Sequence, residues 1–229
     1  MNSPLLRVVG AALLGIVAIW AGAKLYSARN HADNHHGIRV AAGEASALNP
    51  RDIARKDDSI PPPKIPERLP QFSLADSAGK VTPITSFAGK SLVINFWATW
   101  CAPCRSEIPL LVRLNSEWAG RNVSVIGIAV DHRDKVLEFA ERYKIDYPLL
   151  IGEQDALDAV TAFGVETPVF PFTVFTDRRG EVVTLFVGEL HKPQAEFILA
   201  EVQNLNNGLV QLAPARRTIA EGLRALKVR

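Results

Sequence analysis

The sequence predicts an α/β domain, a mixed central sheet with helices on both faces, and three observations predict it. Apolar stretches of strand length alternate with helix-period segments between residues 69 and 163. The near-continuous apolar run Leu92–Trp97 ends in Trp100-Cys101-Ala102-Pro103-Cys104, and a helical pattern starts at once. Two strand-like runs around a short turn, then one more helix, close the pattern, so the sheet cannot be all-parallel. With 229 residues and 48% hydrophobic content, the chain can bury one good core and still carry tails.

Four segments are expected: 1–23, 24–67, 68–206 and 207–229. In the first, Arg7 precedes the apolar run Val8–Trp20, and Ala21-Gly22-Ala23 has the small-x-small form of a cleavage site. Thirteen apolar residues suit a signal peptide. Leu5–Ala23 reaches 19 residues if Arg7 snorkels, enough for a tilted span. Two outcomes follow, an uncleaved signal anchor in the inner membrane or a soluble form released by cleavage at Ala23. Both place the body outside the cytoplasm, in a bacterial periplasm. No cysteine lies nearby to carry a lipid.

Residues 24–67 read as a flexible, proline-containing linker. Pro50, the run Pro61-Pro62-Pro63 and Pro66, with mixed charge and few large apolar side chains, cannot bury enough surface to offset ordering entropy. His31, His35 and His36 cluster there, as a solvated patch or a weak metal site.

The body begins near Leu69. Gln71–Leu74 and Lys80–Ile84 flank Ser77-Ala78-Gly79 and predict a hairpin. Leu92–Trp97 is apolar throughout except at Asn95, as a central strand requires. A helix should run from Cys101 to Trp118, with Pro103 in its first turn and a kink at Pro109. Val123–Val130 is a second buried strand. Asp131 is expected to cap a helix carrying Val136, Phe139, Ala140 and Tyr143 on one face. Tyr147–Ile151 should be a strand and Gln154–Phe163 a helix. Phe172–Thr176 and Val182–Val187 should form a hairpin around Asp177-Arg178-Arg179-Gly180, and Pro193–Leu205 a helix. Past Gly208, Pro214 opens a basic helical tail with Ile219, Leu223 and Leu226 on one stripe, either a partner-binding helix or one folded back on the body.

Charge excludes one class of function. Net charge is +2, and residues 68–200 hold 13 Lys/Arg against 16 Asp/Glu, so no nucleic-acid partner is expected. The chemistry lies in Cys101 and Cys104, the only two cysteines. A structural zinc needs about four ligands, and His132 and His191 are isolated in the sequence; no metal is expected. A two-residue ring hardly constrains the unfolded chain, so a purely structural disulfide has little purpose here. A dithiol that closes and reopens between strand and helix is the reading left, and it needs no cofactor.

The stretch Asn95-Phe96-Trp97-Ala98-Thr99-Trp100-Cys101-Ala102-Pro103-Cys104-Arg105-Ser106-Glu107-Ile108-Pro109 resembles the signature of the TlpA/ResA-type thioredoxin-like proteins of bacteria. The resemblance covers about residues 69–206. It implies a thioredoxin-like fold with an added N-terminal hairpin and an inserted helix and strand at 133–151. It also implies a thiol–disulfide oxidoreductase that reduces partner proteins, of the cytochrome c maturation or copper-centre assembly kind. A membrane thiol reductant would supply its electrons. A cis-proline should stand opposite the cysteines. Counting back from Asp177 and Gly180 gives Pro171, with Pro168 as rival because the segment Gly164–Pro171 is about two residues longer than is usual in the family. Trp100, Phe170 and Pro171 should then line the client groove. Plain thioredoxins carry a buried aspartate where this chain has Asn95; the family's active-site glutamate matches Glu107.

Cys101 is expected to attack, because orphan N–H groups and the helix dipole favour its thiolate, and Cys104 to resolve the mixed disulfide. Ala102 and Pro103 add no positive charge, which predicts a reducing couple. Net oxidation or isomerisation, and a non-redox assembly factor, are the alternatives. A peroxidase would not need the close pair.

Overall fold

The computed structural model describes residues 65–227, all within the compact unit Ser59–Arg229. The expected signal segment, and the linker up to residue 64, lie outside the described residues. Seven strands and five α-helices follow in order: β1 Ser73–Asp76, β2 Val81–Pro83, β3 Ser91–Trp97, α1 Ala102–Trp118, β4 Val123–Val130, α2 Arg133–Tyr143, β5 Leu149–Gly152, α3 Gln154–Ala162, β6 Phe172–Thr176, β7 Val182–Val187, α4 Lys192–Asn206 and α5 Leu212–Lys227. They build one sheet in the order β2-β1-β5-β4-β3-β6-β7. β3, β4 and β5 are mutually parallel; β1, β2, β6 and β7 join antiparallel. The sheet is therefore mixed, as the alternation of patterns required.

Both faces of the central strands are covered, which explains their unbroken apolar runs. Val93 and Trp97 of β3, with Val123, Val125 and Ala129 of β4, pack toward α1, α2, α4 and α5. Leu92, Ile94 and Phe96, with Ile126, Ile128 and Val130, pack on the other face toward α3 and the N-terminal hairpin. Asn95 belongs by alternation to the first face and is fully buried there.

The first hairpin turns at Ser77-Ala78-Gly79 as expected, though its strands, Ser73–Asp76 and Val81–Pro83, are shifted from the flanking apolar runs. Asp76 accepts from Ala78 N at 2.9 Å and Lys80 N at 3.0 Å, and Gly79 has φ +84°, so the turn occupies 76–80. α1 runs unbroken through Pro109, which lies on its exposed side. Asp131 does not cap α2. Its carboxylate is taken by His132 N and by the backbone and hydroxyl of Thr99, while His132 stands at the N-cap without a side-chain cap bond.

The chain enters the body as an extra rung on β7. Leu69 N donates to Gly180 O at 2.8 Å, Val182 N donates to Glu67 O at 2.9 Å, and Arg68 bridges Glu181. At the other terminus α5 folds back on the body. Ala215 and Ile219 are fully buried, and the Arg216 guanidinium donates to Val182 O. A Cβ at Gly222 would come within 2.3 Å of the Phe197 ring, so this glycine lets α4 and α5 approach closely.

Ile219→Ala should therefore cost about 2–4 kcal/mol, the usual range for deleting a fully buried isoleucine. Guanidinium unfolding of the oxidised protein checks this, with the midpoint lowered and the slope unchanged. A midpoint equal to wild type would detach α5 from the core.

Candidate active site

The sheet delivers the cysteines through β3. After Trp97 the chain leaves the sheet, and Cys101 N donates back to Ala98 O at 3.2 Å. Asp131, at the end of the neighbouring β4, accepts from Thr99 N at 3.2 Å and from the Thr99 hydroxyl, and so fixes the loop between strand and helix. Cys101 then stands as the N-cap of α1 with extended backbone, φ −83° and ψ 109°. Cys104 N donates to Cys101 Sγ at 3.3 Å, where a capping oxygen would ordinarily accept. The two cysteines are joined as a disulfide with Cα atoms 5.3 Å apart. Cys101 keeps 6% exposure and Cys104 none, an asymmetry set by their order in the first turn. Arg105 is exposed on the outer side of α1.

Glu107 lies beneath the disulfide, one turn along α1, with 1% exposure. It accepts from Asn95 Nδ2 at 2.7 Å and from Leu190 N at 2.7 Å. Asn95 Nδ2 also donates to Thr173 Oγ1 at 3.0 Å, and Thr173 faces Asn95 across the β3–β6 ladder. Four elements thus hold one carboxyl. Burial pushes its pKa up to about 7, with the Glu189 charge adding to the rise, while the two hydrogen bonds oppose it. A carboxyl that titrates near neutrality beside a dithiol can accept and return a proton.

The third part comes from the segment before β6. The Phe170–Pro171 peptide bond is cis, so Pro171 rather than Pro168 is the cis-proline. Phe172 next to it pairs with Phe96 in the ladder, their rings stacked at 4.4 Å, which puts Pro171 at the end of the sheet where β3 releases the cysteines. Pro171 O accepts from Gly188 N at 2.8 Å. The Phe170 ring meets the Trp100 ring edge-on at 6.2 Å. Trp100 is 67% exposed and Val169 is also exposed, so an apolar rim stands open to solvent next to Cys101.

The six residues singled out from sequence, Trp100, Cys101, Cys104, Glu107, Phe170 and Pro171, therefore stand together. Sequence reasoning missed Thr173, the Leu190 amide and the Thr99–Asp131 contact. A threonine in an apolar strand reads as ordinary strand filling. A backbone amide leaves no mark in a sequence, and Asp131 before a helix reads first as a cap. Among the described residues, no group of three or more His, Cys, Asp or Glu side chains is placed to hold a metal ion.

The raised pKa of Glu107 has a stability consequence. Protonated Glu107 favours the folded state fully below pH 4.5, and this contribution is lost as pH rises through about 7. Oxidised wild type should therefore lose about 3 kcal/mol relative to oxidised Glu107→Gln between those limits. Chemical denaturation of both proteins at pH 4.5, 6 and 8 measures the difference; a gap that does not change with pH would remove the buried acid.

Comparisons with known proteins agree with this geometry. Residues 65–185 match the AhpC/TSA family. The thiol–disulfide oxidoreductase ResA of Geobacillus thermodenitrificans is 32% identical over 124 residues, which is 54% of this chain and 69% of that protein. The thioredoxin-like protein YneN of Bacillus subtilis is 30% identical over 134 residues, 57% of this chain and 75% of that protein. Among solved structures, a thiol:disulfide interchange protein of the thioredoxin family from Chlorobium tepidum is 31% identical with a TM-score of 0.54, over 60% of this chain and 97% of its own. With its only cysteine pair closed at the head of α1 in a thioredoxin-like sheet, the chain belongs to the AhpC/TSA family, on the ResA-type branch, and is a thiol–disulfide oxidoreductase.

Proposed function

We propose that this domain reduces disulfides in specific partner proteins outside the cytoplasm. The observation that carries the reading is the pairing of an N-capping Cys101 with a sealed, near-neutral Glu107 below Cys104. In the reduced state, orphan amides at the head of α1 favour the Cys101 thiolate. It attacks a client disulfide, forming Cys101–S–S–client and releasing one client thiolate. Cys104 then gives its proton to Glu107 and attacks Cys101 Sγ. The second client thiolate leaves, and the Cys101–Cys104 disulfide closes. Two electrons pass to the client, and a second dithiol protein, a membrane thiol reductant, restores the pair. Glu107 suits the proton step because Asn95, at the place of the usual buried aspartate, cannot titrate.

Trp100, Phe170 and Pro171 form the wall against which the client chain lies. Phe170, an aromatic directly before the cis-proline, alters the groove where a client's backbone would lie. Apoproteins of c-type cytochromes and copper-centre assembly factors are the client classes proposed, both of which present cysteine pairs that must be reduced before they are metallated.

The N-terminal segment supports a tethered domain. Leu5–Ala23 is just long enough to span. Residues 65–67 belong to the body, and the remaining 41 residues of the expected linker, 24–64, would reach roughly 32–38 Å as a flexible coil. A tether of that reach raises the effective concentration at membrane-attached clients. Among the described residues no helix is long and apolar enough to cross a membrane, so the anchoring role rests on 1–23 alone. N-terminal sequencing of the mature protein checks it: an intact Met1 region supports the tether, and a chain starting at Lys24 ends it.

Two outcomes test the reductase reading. Cys104→Ser should accumulate mixed disulfides with clients in cells, whereas Cys101→Ser should trap none and reduce no model disulfide. Redox titration of the pair should give on the order of −250 mV, nearer thioredoxin than DsbA. A value above roughly −170 mV would make the protein a net oxidant.

A further inference from the structure

Among the described residues, Asn95 Oδ1, Trp97 Nε1, Tyr147 Oη and Gln194 Oε1 are buried without a hydrogen-bond partner from the protein. Each such atom ordinarily costs about 1–3 kcal/mol. The first three lie in one place. Asn95 faces Gly127 across the β3–β4 ladder. A Cβ at Gly127 would meet Leu149 Cδ2 at 2.7 Å, Tyr147 Cε2 at 3.0 Å and Trp97 Nε1 at 3.1 Å. The indole and the phenol therefore crowd onto the space above Gly127, on the sheet face that α1 covers. Tyr147 belongs to the same core as Cys101 and Cys104.

The chemistry of the three atoms is complementary. Trp97 Nε1 only donates, Asn95 Oδ1 only accepts, and a phenol does both. Buried water typically makes about three hydrogen bonds to polar groups of this kind. Glu107 adjoins this group: it accepts from the Asn95 amide nitrogen, and its charge acts on the Tyr147 phenol.

We propose that Trp97 Nε1, Asn95 Oδ1 and the Tyr147 hydroxyl bind one ordered water, and that Tyr147 is a positioning residue holding this water against Glu107. The inference rests on the reading of Glu107 as the proton acceptor. In the resolving step the Cys104 proton passes to Glu107, the Cys104–Cys101 bond forms, and the Cys101–client bond breaks with its electron pair leaving on the client sulfur. Glu107 must then lose that proton from a site with 1% exposure. The bound water takes it outward past Tyr147, which lies between the exposed residues Asp146 and Pro148 at the rim of the core. The relay moves only a proton and involves no further redox change.

The titratable and charged groups around this path are Glu107, the two thiols, Tyr147, Glu189 and Asp146. The Glu107 and Asp146 charges, with burial, push the Tyr147 phenol far above its ordinary range, so it serves as a neutral donor throughout. A donor presented through water favours ionised Glu107, and its loss must move the Glu107 midpoint upward.

The test is Tyr147→Phe, which keeps the ring and removes only the hydroxyl. Stopped-flow resolution of a mixed disulfide with a cysteine peptide would be followed from pH 5 to 9 in the full chain, with a model-disulfide assay alongside. The proposal expects the pH midpoint to rise by about one unit, resolution at pH 6 to slow about three- to tenfold, and the rate at pH 9 to stay close to wild type. It also expects water density between Trp97, Asn95 and Tyr147 in a high-resolution crystal structure of the wild-type protein. A pH profile unchanged by Tyr147→Phe, or no water at that place, overturns it. Glu107→Gln in the same assay separates the two readings. If Glu107→Gln slows resolution and Tyr147→Phe does not, the relay falls alone. If neither does, the proton role of Glu107 falls as well.

Discussion

The structure around the disulfide depends on one carboxyl that is sealed from bulk solvent. Glu107 reaches Asn95 in the central strand and the Leu190 amide before α4, and through Asn95 it reaches Thr173 in the neighbouring strand. Sealing a carboxyl this way is costly unless it is hydrogen-bonded or protonated, and here both are used. The fold therefore trades some stability at neutral pH for a group whose protonation lies within reach of the thiols. The same bonds tie α1 to the sheet directly beneath the cysteines, so the geometry of the reaction and that of the core are fixed by one set of contacts.

Much of this was legible in the residues. The strands Val123–Val130, Phe172–Thr176 and Val182–Val187 have the limits that their apolar runs suggested, because both ends are marked by polar or turn residues. Asn95 stood out as one polar position in an apolar run, and its burial is what makes the Glu107 contact possible. What could not be read are interactions between residues far apart in the chain. Thr99 and Asp131 are 32 positions apart, and Glu107 and Leu190 are 83 apart. Local spacing carries no trace of either. Asp131 shows how a sound local rule loses: a capping side chain is worth about 1 kcal/mol, and two bonds to Thr99 in a buried place outweigh it.

The site separates two tasks between two environments. In the proposed reading, proton handling lies in the buried interior, where charge is strongly felt and small geometric changes matter. Client contact, in the same reading, falls on the open apolar rim of Trp100, Phe170 and Val169. Only Cys101, at the boundary, belongs to both. Changes on the rim can alter what the domain meets without disturbing the interior.

The way the chain enters the body has a geometric consequence. Residues 67–69 join β7 at Gly180 to Val182, beside the end of β6 that pairs near the start of β3. The cysteines emerge from the opposite end of β3. The attachment point and the reactive sulfur are thus separated by the length of the strands, about 20 Å for six residues of extended chain. A body held by its N-terminal segment works as a rigid arm with the disulfide at its tip. In a tethered protein that length would add to whatever precedes the body, and rotation about the attachment would sweep the sulfur through an arc.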